Sequence, residues 1–556
     1  MKRAAAPSRR RPALGLLAVC VTLAVFQLFV SRPVLDHDWV YFDDDINIVL
    51  NPHLTGGSWD TVKWAWTNFD YARRYIPLGW EMFDGLFALG GLNPALFHAA
   101  SWLFAAANTV LLFLIVRKQI EPVGTDAFLP GRAWHDGSAL LAVGLVSVHP
   151  LQAASVGWAS GLLYLVPQFF ASLAILVVLP AAGSPLQSAR SAFWKKTAGL
   201  LLFLCSVLVY PACIGLPLVL VLAETLRGTG DEPSPHPGAF RRALRRYAGW
   251  LAVAALVSVV NLIAAATAHA GFNPAAGLGG YPPWTRIQHL VSMVGHYAGR
   301  MVWPGETAVY YGPPVSSSPF VVQSAVALGL LALSIALLAS QRTRRPAGVM
   351  LTLVAASLLP FVGLHDQDQV ASDRYTFLAF AVVATGLAHV VSRLARRSSR
   401  LAAAVGLIAL TALAAGAYRA SLAAWRDTDS VQARLDAVTA PQPDPRLSFA
   451  RPALTDFLRG RFEPIRRRLA EGQKRFGRHP ELLSAEQFVT ETGARLRATH
   501  GGEFKVPPYV MMHLELAREH QANGHARAAE IHTIFAYRLA SANSAQPMPG
   551  PVPRSP

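Results

Sequence analysis

Long apolar runs, each closed at one end by a short cluster of Lys and Arg, constrain this chain more than any other feature. A run of about 20 apolar residues matches the hydrocarbon thickness of a bilayer, where backbone groups find partners only within a helix or a closed barrel. The basic clusters are Lys2 to Arg11, Arg117-Lys118, Lys195-Lys196, Arg241 to Arg246, Arg342 to Arg345 and Arg393 to Arg400. So placed, a net charge of +17 reads as membrane topology, and no nucleic-acid partner is expected. With 53% hydrophobic residues, 15% charged residues and a mean hydropathy of +0.33, an ordinary soluble enzyme is excluded. The expected fold class is an all-α polytopic membrane protein with the lipid bilayer as its first partner.

Parity of the basic clusters sets the helix count. Helices are expected at about 13–30, 96–116, two within 138–180 turning at His149-Pro150, and two short ones within 198–223 broken at Tyr210-Pro211. Others follow at about 248–268, 320–340, 347–363, 375–392 and 401–418, while 284–303 is amphipathic and is expected along the membrane surface. Eleven crossings put 23 Lys and Arg in the inside segments and 7 in the outside loops. The N-terminus is then cytoplasmic and the C-terminus extracytoplasmic. Residues 1–30 have a basic start and an apolar run but no small-x-small site after Val30, which reads as an uncleaved first helix. Cys20, Cys205 and Cys213 lie in apolar segments, so no disulfide framework is expected.

Three units follow from this reading: a membrane domain over 1–418, an extracytoplasmic helical domain over 419–545, and a Pro-rich, disordered tail over 546–556. In the second unit, 508–542 reads as a helix pair broken at Asn523-Gly524, similar to a single tetratricopeptide unit that must pack against something larger. Within the membrane domain the first outer loop, 31–95, is rich in Trp and Tyr and carries Phe42-Asp43-Asp44-Asp45-Ile46-Asn47. Three adjacent carboxylates repel one another unless a cation, a proton or nearby donors compensate them, which can tune one toward general-base work.

In order along the chain stand Phe42-Asp43-Asp44-Asp45-Ile46-Asn47 with Asn51-Pro52, Tyr75-Ile76-Pro77-Leu78, Gly91 to His98, His149-Pro150, Trp303-Pro304 and Asp373-Arg374-Tyr375. This ordered set resembles the C-type superfamily of polytopic glycosyltransferases, and within it the transmembrane and tetratricopeptide-containing O-mannosyltransferase-like proteins. The family's tyrosine-arginine-proline-leucine is altered to Tyr75-Ile76-Pro77-Leu78, with Arg73 and Arg74 just before it. Its usual glutamate and arginine after His-Pro are replaced by Ala153, Ala154, Ser155 and Gly161.

The resemblance implies a sugar, mannose or another hexose, moved from a polyprenyl-phosphate carrier to a protein or envelope glycan at the extracytoplasmic face. It makes Asp43 or Asp44 the base, with Asp45 a flanking solvated carboxylate. Arg374 is expected to meet the lipid phosphate, because a permanent cation with a forked donor set suits it. His149, His98, Glu81, Asn47 and Trp158 are the further substrate-binding candidates. His365, Asp366 and Asp368 together with the Asp triplet are the groups that would hold a divalent cation, were one used. Short basic loops and an Arg- and Ala-rich composition fit a bacterial inner membrane. The rival readings are a flippase or transporter of a lipid-linked glycan, and a noncatalytic scaffold acting through its C-terminal helices.

Overall fold

The structure, a computed structural model, describes residues 10–69, 71–120, 129–179, 189–226, 238–267, 283–302, 307, 318–339, 345–358, 372–394, 397–439, 445–500 and 506–543. All regular structure among these residues is helical. The chain begins with α1 (Arg10–Ser31), α2 (Trp59–Thr67), α3 (Pro77–Gly90) and α4 (Pro94–Ile120). The bundle continues through α5 (Leu129–Ser147), α6 (Ala153–Val156), α7 (Leu162–Val178), α8 (Ala189–Val209), α9 (Leu216–Leu226) and α10 (Ala239–Thr267). It closes with α11 (Pro283–Val302), α12 (Ser318–Ala339), α13 (Arg345–Leu358), α14 (Phe377–Ser392) and α15 (Arg397–Ala423). The remainder is α16 (Thr428–Thr439), α17 (Arg451–Leu458), α18 (Phe462–Phe476), α19 (Pro480–His500), α20 (Pro508–Ala522) and α21 (Ala526–Asn543).

Each stretch expected to be an apolar helix is helical where it is described. Six are long and apolar enough to cross a membrane: Gly15–Asp36, Pro94–Ile120, Ala159–Val178, Arg190–Val209, Ala239–Ala264 and Arg397–Ala423. Ala133–Ser147 with Pro150–Val156, bent by 60°, makes a seventh if the pair is one span, and four shorter apolar helices of 10–17 residues accompany them. Among the described residues, length and composition therefore qualify six or seven of the expected eleven as spans. Exposed apolar side chains line one face of α1 at four-residue steps (Leu17, Val21, Val25, Phe29) and much of α15, where lipid would otherwise have to meet polar groups.

The break at Tyr210-Pro211 is present: α8 stops at Val209, Tyr210 is extended, and Pro211 opens a 3-10 turn before α9. Proline disfavours a helical residue before it and removes a helix donor. The amphipathic stretch is α11, and in its second half apolar side chains are built into the core. Met293 and Tyr297 are buried, and the Tyr297 hydroxyl donates to Ser372 O at 3.1 Å and accepts from Ser372 N at 3.0 Å.

The loop between α1 and α4 is a folded layer. Ser58 caps α2 by accepting from Asp60 N, Pro77 starts α3, and Gly91 ends α3 at φ +62°, a conformation that disfavours residues with a Cβ. Val40, Ile48, Leu54, Phe83 and Phe87 are fully buried in it, each contributing about 1.5–3 kcal/mol by leaving water. The same apolar core runs on into the C-terminal helices through Phe457, Tyr509 and Ile531. Tyr41 packs on Tyr509 at 5.0 Å, the Arg451 guanidinium lies over Phe42 at 4.9 Å, and His525 Nε2 meets Asp60 Oδ2 at 2.9 Å. Thus α20 and α21, turning at Gly524, find their missing partner surface on the 31–95 layer. The expected tail at 546–556 lies outside the described residues.

Candidate active site

The acidic turn is bolted to a second loop 116 residues away in sequence. Asp44 is fully buried; its Oδ2 accepts from Val40 N at 2.9 Å, and its Oδ1 accepts from Ser160 N at 2.8 Å and Ser160 Oγ at 2.5 Å. Burial raises the Asp44 carboxyl to about 7 against the pull of those three donors. The Ser160 hydroxyl also accepts from Asn47 Nδ2 at 3.0 Å, so Asn47 completes the clamp. Ser160 gave no signal of its own in the sequence. Its context did: the run 153–161 is nearly all small residues, and a Cβ on Gly161 would stand 2.2 Å from Ser155 O.

Asp43 is half-buried, and its carboxylate accepts no hydrogen bond from a described residue. Asp45 begins a single π-turn, Asp45–Val49, and is not the solvated flank expected of it. Its Oδ1 is buried without a hydrogen-bond partner, and burial raises its pKa, opposed by the Arg451 cation and reinforced by Asp43. The three carboxylates therefore differ: Asp44 turns inward as an anchor, Asp43 is half-buried, and Asp45 lies within the field of Arg451 on α17.

Two residues from Ser160, Trp158 packs on Arg374. The buried guanidinium lies over the rings of Trp158, Tyr164 and Tyr375 at 5.2, 5.3 and 5.7 Å, and its Nε donates to Tyr164 Oη at 2.8 Å. Ring faces suit a desolvated cation. Trp158 is 1% exposed and stacks on Trp425 at 5.3 Å, so its ring serves the arginine and the C-terminal connection and does not lie open to a sugar.

The other expected residues are more dispersed. His98 is fully buried; its Nε2 donates to Asp38 O at 3.3 Å and its ring meets His37 edge-on, which holds the backbone leading into the acidic turn. His149 Nδ1 accepts from Leu151 N at 3.3 Å, capping the short turn before α6, and its ring packs on Phe380 at 4.6 Å. Glu81 Oε1 accepts from Trp66 Nε1 at 2.6 Å on the exposed side of α3. Asp84, three residues on, is a turn clamp, accepting from Gly56 N and Gly57 N at 2.8 Å each, where both glycines have positive φ. Among the described residues no group of three His, Cys, Asp or Glu side chains is arranged to hold a metal ion. His365, Asp366 and Asp368 lie outside the described residues, as do Trp303-Pro304.

Among solved structures the chain is similar to ArnT from Cupriavidus metallidurans bound to undecaprenyl phosphate, at 14% identity, over 95% of this chain and 76% of that one, with a TM-score of 0.34. A TM-score that low carries no argument. No protein-family model and no curated protein matches the chain.

Proposed function

We propose that this chain is a membrane glycosyltransferase of the C-type superfamily, moving mannose or another hexose from a polyprenyl-phosphate carrier to a hydroxyl of a protein or envelope glycan. In this reading the chain crosses a bacterial inner membrane eleven times, and the reaction takes place at the extracytoplasmic face. The observation that carries it is the Asp44–Ser160 clamp, which joins the acidic turn to the loop whose Trp158 holds Arg374. That connection puts the two ends of the resemblance, residues 42–47 and 373–375, at one end of the bundle.

The chemistry divides among the residues by their surroundings. Asp43, half-buried and with a carboxylate that accepts no hydrogen bond from a described residue, takes the proton of the acceptor hydroxyl, whose oxygen attacks the anomeric carbon. The carbon–oxygen bond to phosphate breaks, and the electron pair leaves with the carrier phosphate, whose charge Arg374 offsets. Asp44 and Asn47 are positioning residues in this scheme, and Asp45 is the second carboxylate able to take the base's role.

Purified protein in detergent with a polyprenyl-phosphate hexose tests the scheme. Asp43→Asn keeps size and removes basicity, so turnover falls about 100-fold or more while donor binding survives. Arg374→Ala weakens donor binding, and Arg374→Lys restores only part of it because a point charge lacks the fork. Wild-type transfer in both Asp43→Asn and Asp45→Asn would sink the catalytic reading and leave the scaffold as the better account.

A further inference from the structure

Arg374 is held more fully than a neutralising charge requires. Its backbone is pinned on both sides: the Tyr297 hydroxyl of α11 bridges Ser372 N and Ser372 O at 3.0 and 3.1 Å, and Thr376 Oγ1 donates to Asp373 O at 2.8 Å. The side chain is 5% exposed, and its guanidinium lies among the rings of Trp158, Tyr164 and Tyr375. Attraction to a ring face depends on the distance to its centroid and only weakly on how a planar cation is turned. Three rings therefore fix where the head sits more firmly than which way its N–H groups point.

The hydrogen bond from Arg374 Nε to Tyr164 Oη, 2.8 Å long and joining residues 210 apart in sequence, supplies that second constraint. Tyr164 is itself fixed. It is 4% exposed near the start of α7, and its ring meets Tyr210 and Tyr375 edge-on at 5.1 and 5.7 Å. Tyr210 is the extended residue at the break between α8 and α9, so the break that ends one helix also braces the tyrosine that holds the arginine. A guanidinium offers a phosphate two edges with parallel N–H pairs: Nε with one terminal nitrogen, or the two terminal nitrogens together. Tyr164 takes the Nε–H, which leaves the second edge for a bidentate phosphate.

We infer that Tyr164 is a positioning residue: it turns the Arg374 guanidinium so that the carrier phosphate is received end-on by the two terminal nitrogens, a role that presupposes Arg374 at that phosphate, as in the proposed reaction. Without the hydroxyl the head can turn on its rings, and the bidentate contact weakens although the charge stays in place.

Equilibrium binding of a radiolabelled short-chain polyprenyl phosphate to the full-length protein in detergent reads this without turnover, with the matching polyprenol as the uncharged control. Tyr164→Phe keeps the ring beside the guanidinium and removes Oη. Polyprenyl phosphate should then bind about tenfold more weakly, the size expected when a hydrogen bond to a charged group is lost, while polyprenol binds as in wild type. General loosening of the bundle would weaken both ligands alike. In the Arg374→Lys background the head is a compact ammonium with no edge to orient, so adding Tyr164→Phe should weaken phosphate binding by no more than about twofold further. Unchanged phosphate binding in Tyr164→Phe, equal loss of both ligands, or an undiminished tenfold loss in the Arg374→Lys background would each overturn the inference. Arg374→Ala separates its failure from that of the proposed reaction. If Arg374→Ala loses polyprenyl phosphate and Tyr164→Phe does not, the orienting role fails and the phosphate role of Arg374 stands. If Arg374→Ala binds polyprenyl phosphate like wild type, both fail.

Discussion

Two clusters at the same end of the bundle bury ionisable side chains, and they treat the proton in opposite ways. In the clamp, both Asp44 oxygens have partners, and the hydroxyl that donates to one of them is itself hydrogen-bonded by Asn47. In the stack between α20 and α21, His513, His520 and His532 are buried, and Nε2 of each makes no hydrogen bond with a described residue. His513 Nδ1 and His532 Nδ1 face each other at 2.8 Å, a distance that one shared proton satisfies and a second makes repulsive. His532 also stacks on His520 at 5.4 Å and packs on Phe87 of α3 at 5.7 Å, and the edge of the stack reaches Asp60 through His525. Equal burial thus yields an anchor where partners are complete and an acid-sensitive joint where they are not.

The sharpest break of the comparison is Asp44→Ala. It leaves Val40 N–H, Ser160 N–H and Ser160 Oγ–H without their acceptor, at about 1–3 kcal/mol for each buried group, so thermal inactivation should come markedly earlier and amides at 158–161 should exchange faster. A variant that melts with the wild type would show that the loop is held by something other than the clamp.

Acid should divide the two regions. Burial lowers His520 to about 4 and His532 to about 3, and holds His513 well below the ordinary imidazole value. Their contribution is fully present above pH 6.5 and is lost as pH falls through the folded values. Asp44, raised to about 7, runs the other way: its contribution is complete below the ordinary carboxylate range and declines as pH rises through 7. Hydrogen exchange followed from pH 7 to pH 5 should therefore show α20 and α21 loosening from the 31–95 layer while the acidic turn does not. Uniform behaviour of both regions would erase the distinction. Replacing His513 with Phe, which removes the facing nitrogen, should flatten the acid response of the hairpin.

The smallest effect belongs to the rim. Asp60 is two-thirds exposed, and solvent screens its contact with His525. His525→Ala should leave the melting temperature unresolved from wild type, and a clear loss would promote this pair from rim contact to hinge.

Much of the bundle was legible in the sequence. Apolar length and basic punctuation located the apolar helices of the bundle, though not α2, α3 or α6; Tyr210-Pro211 marked its break, and Asn523-Gly524 marked the turn between α20 and α21. The acidic turn and Arg374 could also be singled out as candidates, through residue types and their order. Their division of labour was not legible. Asp43, Asp44 and Asp45 are identical letters, and a one-residue step into a π-turn decides which meets Ser160, which feels Arg451 and which is only half-buried.

Periodicity and hydropathy are local quantities, so they determine where a chain must be helical and which ends carry charge. Hydrogen bonds such as Asp44 to Ser160, or Asn108 to Leu165, join residues far apart in the chain and depend on how helices pack. The docking of α21 on Gly91 and Phe87 and the burial of Trp158 against Trp425 are of the same kind. Only the tertiary structure decides them, because the cost of a buried polar atom, or of an added Cβ, is set by neighbours that no local pattern names.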